Sequence, residues 1–196
     1  MYAPGVTVLV PLKPLAEAKS RLRGAAPDHE DLVLALALAT VRAALTAAGV
    51  ARVLVVTRDP VAAAELRGCG ADVAADHGRD LNDALRRAAA EVTGPVAALP
   101  ADLPALRPAE LAQALAAAGG RRAFVPDAAG VGTVLLVAAP GRPLDPRFGS
   151  GSAAAHERTG AARLTGDWPT LRRDVDTADD LAVVRGWGLL PTGAKA

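Results

Sequence analysis

The chain alternates short apolar runs with longer segments that have helical periodicity. The runs Val6–Val10 and Arg52–Thr57 are continuous and rich in β-branched residues, which is typical of strands buried on both faces of a sheet. Several helical segments have recognisable ends, since Pro60 and Pro108 open two of them and Gly49 stops another. Strands that alternate with helices favour parallel βαβ units, so the pattern predicts an α/β fold with a mostly parallel sheet.

The predicted elements cover most of the chain. We predict strands over 6–10, 52–57, 71–75, 96–99, 122–126, 133–138 and 171–175. We predict helices over 17–22, 28–48, 60–67, 81–92, 108–118, 152–159 and 177–187. The Gly/Pro-rich stretch 139–151 has no pattern of its own, and a long irregular segment is usually functional or mobile. Residues 191–196 are expected to form a frayed tail.

Composition narrows the class of protein. A length of 196 residues predicts a single domain, 1–196, whose core consists mainly of Val, Leu and Ala because aromatic residues make up only 3%. A net charge of +1 disfavours nucleic acid or a membrane surface as partner. Cys69 is the only cysteine, which fits a reducing compartment. The apolar run 32–41 is too short to span a bilayer and no signal peptide is recognisable, so we expect a cytoplasmic protein.

Three aspartates are the first candidates for chemistry. Asp102 follows the predicted strand 96–99, while Asp174 and Asp176 lie two residues apart on another predicted strand and would share one face of it. Together they would offer the hard oxygen ligands that Mg²⁺ or Mn²⁺ prefers. Each aspartate also has an ordinary interpretation: Asp102 as the cap of a turn, and the other two as carboxylates on an exposed edge strand or at a helix start. The residues alone leave both interpretations open.

Basic residues follow the first predicted strand. Lys13, Lys19 and Arg21 lie in the loop and helix that leave its carboxyl end, which is where α/β folds bind phosphates. The alternative is a solvated amphipathic helix.

Two glycine-containing segments could bind anions through backbone N–H groups. The segment 130–133 is a weak signal and is also typical of a hairpin connection. The segment 147–152 is a better one, because Ser152 would begin a helix and His156 would lie one turn further on. Its alternative is a serine cap after a flexible loop. The sequence contains neither a nucleophile elbow nor a stacking platform for nucleic acid.

Six motifs occur in an order that resembles one enzyme family. They are VLVPLKP…KSRL from Val8, LNDAL from Leu81, PADLP from Pro100, GVGT from Gly130, FGSGS…H from Phe148 and DVDT…DL from Asp174. Each motif is weak alone, but the ordered set covers nearly the whole chain. It resembles the guanylyltransferases of coenzyme F420 biosynthesis, that is, 2-phospho-L-lactate guanylyltransferase and its phosphoenolpyruvate-using relatives.

The resemblance implies a fold and a set of site residues. The fold is that of nucleotide-sugar synthetases, a three-layer α/β architecture with a mixed sheet. Members of the family often carry a polar residue where this chain has Val134, so a side-chain hydrogen bond is lost and the contact falls to the backbone or to Thr133. The implied residues are Asp102, Asp174 and Asp176 for catalysis through divalent metal; Lys13, Lys19, Arg21 and Asn82 for GTP; and Thr133, Val134, Gly149 and Ser152 for the acceptor acid.

The implied reaction transfers GMP from GTP to the phosphate of a three-carbon acid and releases pyrophosphate. A molybdopterin-cofactor or sugar-1-phosphate nucleotidyltransferase is the first alternative, but those usually have a Leu-x-Gly-Gly loop where this chain has Pro11–Pro14. A non-catalytic nucleotide-binding domain is the second, and the three carboxylates disfavour it. The residues do not separate phosphoenolpyruvate from 2-phospho-L-lactate or give the oligomeric state; an Ala/Arg/Gly-rich composition, typical of high-GC bacteria, favours phosphoenolpyruvate.

Overall fold

A computed structural model describes residues 5–187, and a seven-stranded sheet lies at its centre. The strand order is β3-β2-β1-β4-β6-β5-β7, and all strands are parallel except β6, which runs antiparallel to β4 and β5. The strands are β1 (Val6–Leu12), β2 (Val50–Thr57), β3 (Asp72–Ala75), β4 (Val96–Ala98), β5 (Ala123–Pro126), β6 (Thr133–Val137) and β7 (Ala162–Arg163). The predicted mostly parallel α/β fold is confirmed.

Helices cover both faces of the sheet and make a three-layer structure. The described helices are α1 (His29–Leu45), α2 (Pro60–Gly68), α3 (Leu81–Ala90), α4 (Pro108–Ala118), α5 (Ser152–Arg158) and α6 (Ala178–Gly186). Apolar residues of α1, α2 and α4 share one core, whereas those of α3 and α5 share the core on the opposite face. No helix within residues 5–187 has the length and apolar character needed to cross a bilayer.

The centre of the first strand, Val8–Val10, shows why its apolar residues follow one another without alternation. Val8 and Val10 point into the core beneath α1, while Leu9 points into the core beneath α3, and all three are fully buried. A strand that is covered on both faces has no solvent-facing positions, so alternation disappears. Burial of each such side chain contributes roughly 1.5–3 kcal/mol.

The reversed direction of β6 determines which residues lie together at the carboxyl ends of the parallel strands. Parallel strands β1, β2 and β4 end at one edge of the sheet, and β6 begins there because it runs the opposite way. Thr133 at the start of β6 therefore lies at the same edge as Lys13 after β1 and Asp102 after β4. Ligands of open α/β sheets bind at this edge.

The predicted strand 171–175 is wrong. The segment consists of turn and irregular backbone, not of a strand. Its N–H groups bond elsewhere: Leu171 N donates to the Glu110 carboxylate, Arg172 N to Trp168 O, and Val175 N to Asp102 O. Only the bond from Val175 N joins the segment to the backbone of a distant part of the chain, so the repeated hydrogen bonds of a β-strand do not form.

The predicted helix 17–22 is also largely wrong. A turn closes on Pro14 O, and only Ser20–Leu22 forms a short 3₁₀ helix. Between them Lys19 adopts left-handed backbone angles (φ 52°, ψ 43°), which an α-helix cannot contain. Non-glycine residues in this region are uncommon and cluster at functional sites.

The remaining predictions agree with the structure to within a few residues at each end. The short strand β7 (Ala162–Arg163) was not predicted, because two residues carry no periodicity. The segment 139–151 is confirmed as free of helix and strand. The predicted tail 191–196 lies outside the described residues.

Asp59 connects the segment after β1 to helix α2, and the strength of this connection can be tested. One carboxylate oxygen caps α2 by accepting from Val61 N and Ala62 N, and the other accepts from Leu15 N at 2.9 Å. We expect Asp59→Ala to lower the free energy of unfolding by about 2 kcal/mol, since a cap and a long-range hydrogen bond are both lost. Asp28 caps α1 without such a bond to a distant segment, so Asp28→Ala should cost only about 1 kcal/mol. Urea denaturation compares the two variants, and equal losses would contradict the structural role of the Leu15 contact.

Candidate active site

A cleft of about 630 Å³ opens at the edge where the parallel strands end. Six parts of the chain line it: the end of β1 with the stretch that follows, helix α1, the start of α3, the stretch after β4, the loop before α5 and the segment before α6. Six of the eleven predicted site residues are among the lining: Lys13, Lys19, Arg21, Asp102, Gly149 and Asp176.

Three carboxylates meet beside this cleft. Oxygen atoms of Asp102, Asp174 and Asp176 all lie within 4.8 Å of one another. The ammonium group of Lys19 contacts the carboxylate of Asp102 and lies 2.5 Å from Asp176 Oδ1. The side chains of Asp102 and Lys19 are only 15% and 16% exposed, whereas that of Asp176 is 50% exposed. One cation thus faces three anions, of which Asp102 and Asp176 line the cleft and Asp174 does not.

The ordinary interpretations of these aspartates do not fit. Among the described residues, no backbone N–H donates to the Asp102 carboxylate, so it caps no turn there. Helix α6 is capped by Thr177 and Asp180 in a reciprocal capping box, not by Asp176. The contact between Asp174 and Asp176 does not come from one face of a strand, since that strand is absent. The segment bends so that both carboxylates approach Asp102.

The environment of the cluster shifts the pKa values of Asp174 and Lys19. Burial, together with the negative charges of Asp102 and Asp176, raises the pKa of Asp174 to about 6. Burial disfavours the charged form of Lys19, yet the attraction of Asp102 and Asp176 outweighs it and raises the lysine pKa. Lys19 therefore stays charged. Asp174 is the carboxylate whose charged form is disfavoured, because Lys19 does not fully offset the other two negative charges.

The cluster fits a divalent metal ion. The Oδ1 atom of Asp102 is buried and has no hydrogen-bond partner in the described part of the chain. Buried polar atoms are nearly always satisfied, so an orphan oxygen next to two further carboxylates is what a hard cation would complete. The donor set contains oxygen only, which disfavours zinc.

A buried threonine holds Asp102 in place. The Thr40 hydroxyl on α1 accepts from Leu103 N at 2.9 Å and lies within donating distance of Ala101 O at 3.2 Å and of Leu36 O at 2.9 Å. Its partners therefore flank Asp102 on both sides. Sequence analysis did not find this residue; the available signal was a hydroxyl at a core-facing position of an otherwise apolar helix face.

A buried glutamate holds the segment that leads to the other two aspartates. Glu110 on α4 accepts from Thr170 N at 2.8 Å and Leu171 N at 2.9 Å with the same oxygen. Further along, the Arg172 guanidinium donates to Pro126 O and Asp127 O, and Val175 N donates to Asp102 O. These contacts replace the missing strand ladder and fix the path of the chain. Glu110 was also missed, and a charged residue on a buried helix face was the signal.

Of the four predicted acceptor residues, one lines the cleft and three do not. Gly149 lines it, whereas Thr133 and Ser152 are buried, and the Val134 side chain packs in the core. The Thr133 hydroxyl contacts His156 Nδ1 at 2.9 Å. Ser152 begins α5, as predicted, but Gly151 is the N-cap residue.

Asn82 does not line the cleft, although its neighbour Leu81 does. Its side-chain amide is paired with the backbone of Phe148 through two hydrogen bonds. A direct contact between Asn82 and the nucleotide therefore stays a prediction.

The architecture identifies the fold class to which the protein belongs. The chain superimposes on a proposed nucleotide-diphospho-sugar transferase from Desulfovibrio desulfuricans with a TM-score of 0.67 and 18% identity, covering 91% of this chain and 85% of that one. It superimposes on 4-diphosphocytidyl-2C-methyl-D-erythritol synthase with a TM-score of 0.62 and 16% identity, covering 94% and 98%. The fold is thus that of nucleotide-diphospho-sugar transferases and cytidylyltransferases.

Within this class the chain belongs to the guanylyl transferase CofC like family, whose model matches residues 6–184. It is similar to the phosphoenolpyruvate guanylyltransferase of Salinispora arenicola, with 58% identity over 96% of this chain and 91% of the relative. It is also similar to the phosphoenolpyruvate guanylyltransferase of Streptomyces scabiei, with 52% identity over 97% and 94%. The resemblance of the six motifs is confirmed at the level of the family.

Removing the charge of Asp174 should stabilise the protein when metal is absent. The folded-state pKa of about 6 lies above the ordinary value of 3.8, so the stability cost is absent below pH 3.8 and complete above pH 6. After allowance for partial exposure, we expect Asp174→Asn to raise the free energy of unfolding by about 1 kcal/mol at pH 7.5 in EDTA. Urea denaturation at pH 7.5 and pH 4 measures it. A variant no more stable than wild type at pH 7.5 would contradict the charge cluster.

Proposed function

We propose that this protein transfers GMP from GTP to the phosphate of phosphoenolpyruvate, releasing pyrophosphate, in coenzyme F420 biosynthesis. Membership of the guanylyl transferase family and the name shared by its relatives support the reaction. The observation that carries the proposal to individual atoms is the group of three carboxylates beside a cleft that basic side chains also line. A cytoplasmic location is part of this proposal, because both substrates are intracellular metabolites.

The reaction needs alignment and charge neutralisation more than proton transfer. The attacking oxygen belongs to a phosphate that is already anionic near neutral pH, so no general base is required. No histidine or cysteine is found among the residues that line the cleft. His156 is buried, and burial and the nearby Arg122 lower its pKa to about 4. A pKa this low makes the ring a weak base, and both ring nitrogens are already hydrogen-bonded to Thr133 and Arg147, so His156 is poorly suited to accept a proton from the substrate.

The basic residues of the cleft fit the triphosphate of GTP. Lys13 and Arg21 are exposed at the cleft wall, and Lys19 lies between them and the carboxylates. Cationic side chains next to the carboxyl end of β1 lower the repulsion between two anionic substrates and the aspartates. Thr133, Gly149 and Ser152 are the proposed acceptor side of the same cleft.

Asp102, Asp174 and Asp176 are the proposed ligands of a divalent ion, either Mg²⁺ or Mn²⁺. When bound, such an ion neutralises phosphate charge and stabilises the pyrophosphate leaving group. Without it the carboxylates would repel a triphosphate, since Lys19 offsets only part of their charge. The ion and the nucleotide should therefore bind together.

Asp102→Asn tests the role of the carboxylate whose buried Oδ1 atom has no hydrogen-bond partner among the described residues. We expect kcat for pyrophosphate release from GTP and phosphoenolpyruvate to fall at least 100-fold, since losing one hard ligand costs several kcal/mol of transition-state stabilisation. Asp179→Asn is the matched control, because Asp179 is an exposed acid in the first turn of α6. Near wild-type kcat in Asp102→Asn at saturating Mg²⁺ would remove Asp102 from the reaction.

Substrate competition tests the assignment of both substrates. Pure protein is given equal GTP and ATP, and equal phosphoenolpyruvate and 2-phospho-L-lactate, and the products are identified by ³¹P NMR. We expect the product in which GMP is joined to the phosphate of phosphoenolpyruvate, a diphosphate that bridges guanosine and the enol acid, to exceed every other product at least tenfold. Transfer mainly to 2-phospho-L-lactate would change the acceptor, and comparable turnover of ATP would contradict guanylyl specificity.

A further inference from the structure

The loop of residues 144–149 carries Phe148 and Gly149 to the wall of the cleft. It has neither helix nor strand, so its backbone groups lack the partners that regular structure supplies. Side chains from three distant elements take those partners' place. The Arg122 guanidinium, next to β5, donates to Leu144 O and Asp145 O and holds the beginning of the loop.

Asn82 on α3 holds the end of the loop. Its Nδ2 donates to Phe148 O at 2.9 Å, and its Oδ1 accepts from Phe148 N at 2.8 Å. The amide thus pairs with one residue's backbone as a neighbouring strand would. An asparagine can do this because its amide offers a donor and an acceptor side by side. Asn82 and Phe148 are 66 positions apart, so the pair is a tertiary contact.

His156 on α5 holds the preceding loop residue. Its Nε2 lies 2.9 Å from Arg147 N, and a backbone N–H can only donate. The histidine proton is therefore on Nδ1, which donates to the Thr133 hydroxyl at 2.9 Å. The ring is fully buried and packs edge-on against Phe148, with centroids 5.3 Å apart. His156 thus links the loop to the start of β6.

Gly149 follows directly after these two fixed residues. Its φ of 132° lies in the region that favours glycine, and no atom would lie within 4 Å of a Cβ placed there. Backbone conformation, not lack of space, therefore requires glycine at this position. Because the residues just before Gly149 are held by Asn82 and His156, these side chains set how its backbone faces the cleft.

We propose that Asn82 and His156 are positioning residues that lock residues 147–149 in the geometry that binds the acceptor acid. Asn82 acts on the acceptor through this loop and not through a contact with GTP. The kinetic consequence rests on the proposed function, whereas the structural consequence does not. The structural alternative is that both residues stabilise the whole fold without any particular effect on the loop.

Selective labelling isolates the structural consequence. The chain contains two phenylalanines, so ¹⁵N-Phe labelling gives one amide signal from the loop, Phe148, and one from the central sheet, Phe124. We expect hydrogen exchange of the Phe148 amide to be at least tenfold faster in Asn82→Ala, with Phe124 changed less than twofold. Asn82→Asp keeps an acceptor for Phe148 N but loses the donor, so its exchange rate should fall between wild type and Asn82→Ala. Unchanged Phe148 exchange in both variants, or equal acceleration of both amides, would overturn the proposal.

Steady-state kinetics isolates the functional consequence. In Asn82→Ala, and in His156→Phe, which keeps an aromatic ring but loses both hydrogen bonds, we expect KM for phosphoenolpyruvate to rise at least tenfold. KM for GTP should stay within twofold of wild type. A rise in KM for GTP with an unchanged acceptor KM would place Asn82 at the nucleotide and overturn the proposal. If wild-type protein does not use phosphoenolpyruvate, the proposed function fails, and the exchange measurement still decides whether the loop is locked.

Discussion

Repulsion between three carboxylates at one edge of the sheet is the constraint on which the rest of the site depends. Asp102, Asp174 and Asp176 bring their oxygens within 4.8 Å of one another, and Lys19 is the cation that contacts two of them. Such a cluster is unfavourable unless cations offset it. The left-handed backbone at Lys19 is a further cost at the same place. Both costs occur beside the cleft, where the proposed binding of a divalent ion and of phosphates would offset them.

The scaffold opposes this repulsion with buried polar contacts. Thr40 fixes the backbone on both sides of Asp102, and Glu110 fixes the chain a few residues before Asp174. Neither side chain lines the cleft. Both lie on helices α1 and α4, which cover the same face of the sheet. The helical layer on that face therefore does more than cover the core, because it also supplies the groups that hold the charged segments.

The two walls of the cleft differ in how they are built. The wall after β1 carries exposed basic side chains, which suits a solvated triphosphate. The opposite wall is a loop without regular structure, whose backbone is held by Arg122, Asn82 and His156. A small acid offers few atoms to recognise, so its site gains most from backbone groups that are already in place.

Sequence reasoning found the sheet and the carboxylates for different reasons. Continuous apolar runs identified the buried strands, since burial on both faces removes alternation. Asp102 and the basic residues were found because they directly follow the carboxyl ends of these strands. The path of 171–176 could not be predicted, because its hydrogen-bond partners, Glu110 and Asp102, are distant in sequence. The link between Asn82 and Phe148 was inaccessible for the same reason, because tertiary pairing of a side chain with a loop backbone leaves no local pattern.

Binding of Mn²⁺, followed by the loss of its free-ion EPR signal, tests the central claim most directly. The account predicts that wild-type protein binds Mn²⁺ more tightly in the presence of GTP. It also predicts that Asp102→Asn and Asp174→Asn each weaken this binding at least tenfold, while Asp179→Asn does not. Binding of Mn²⁺ with equal affinity to wild type and to both cluster variants would contradict the account, because the three carboxylates would then not be the metal site.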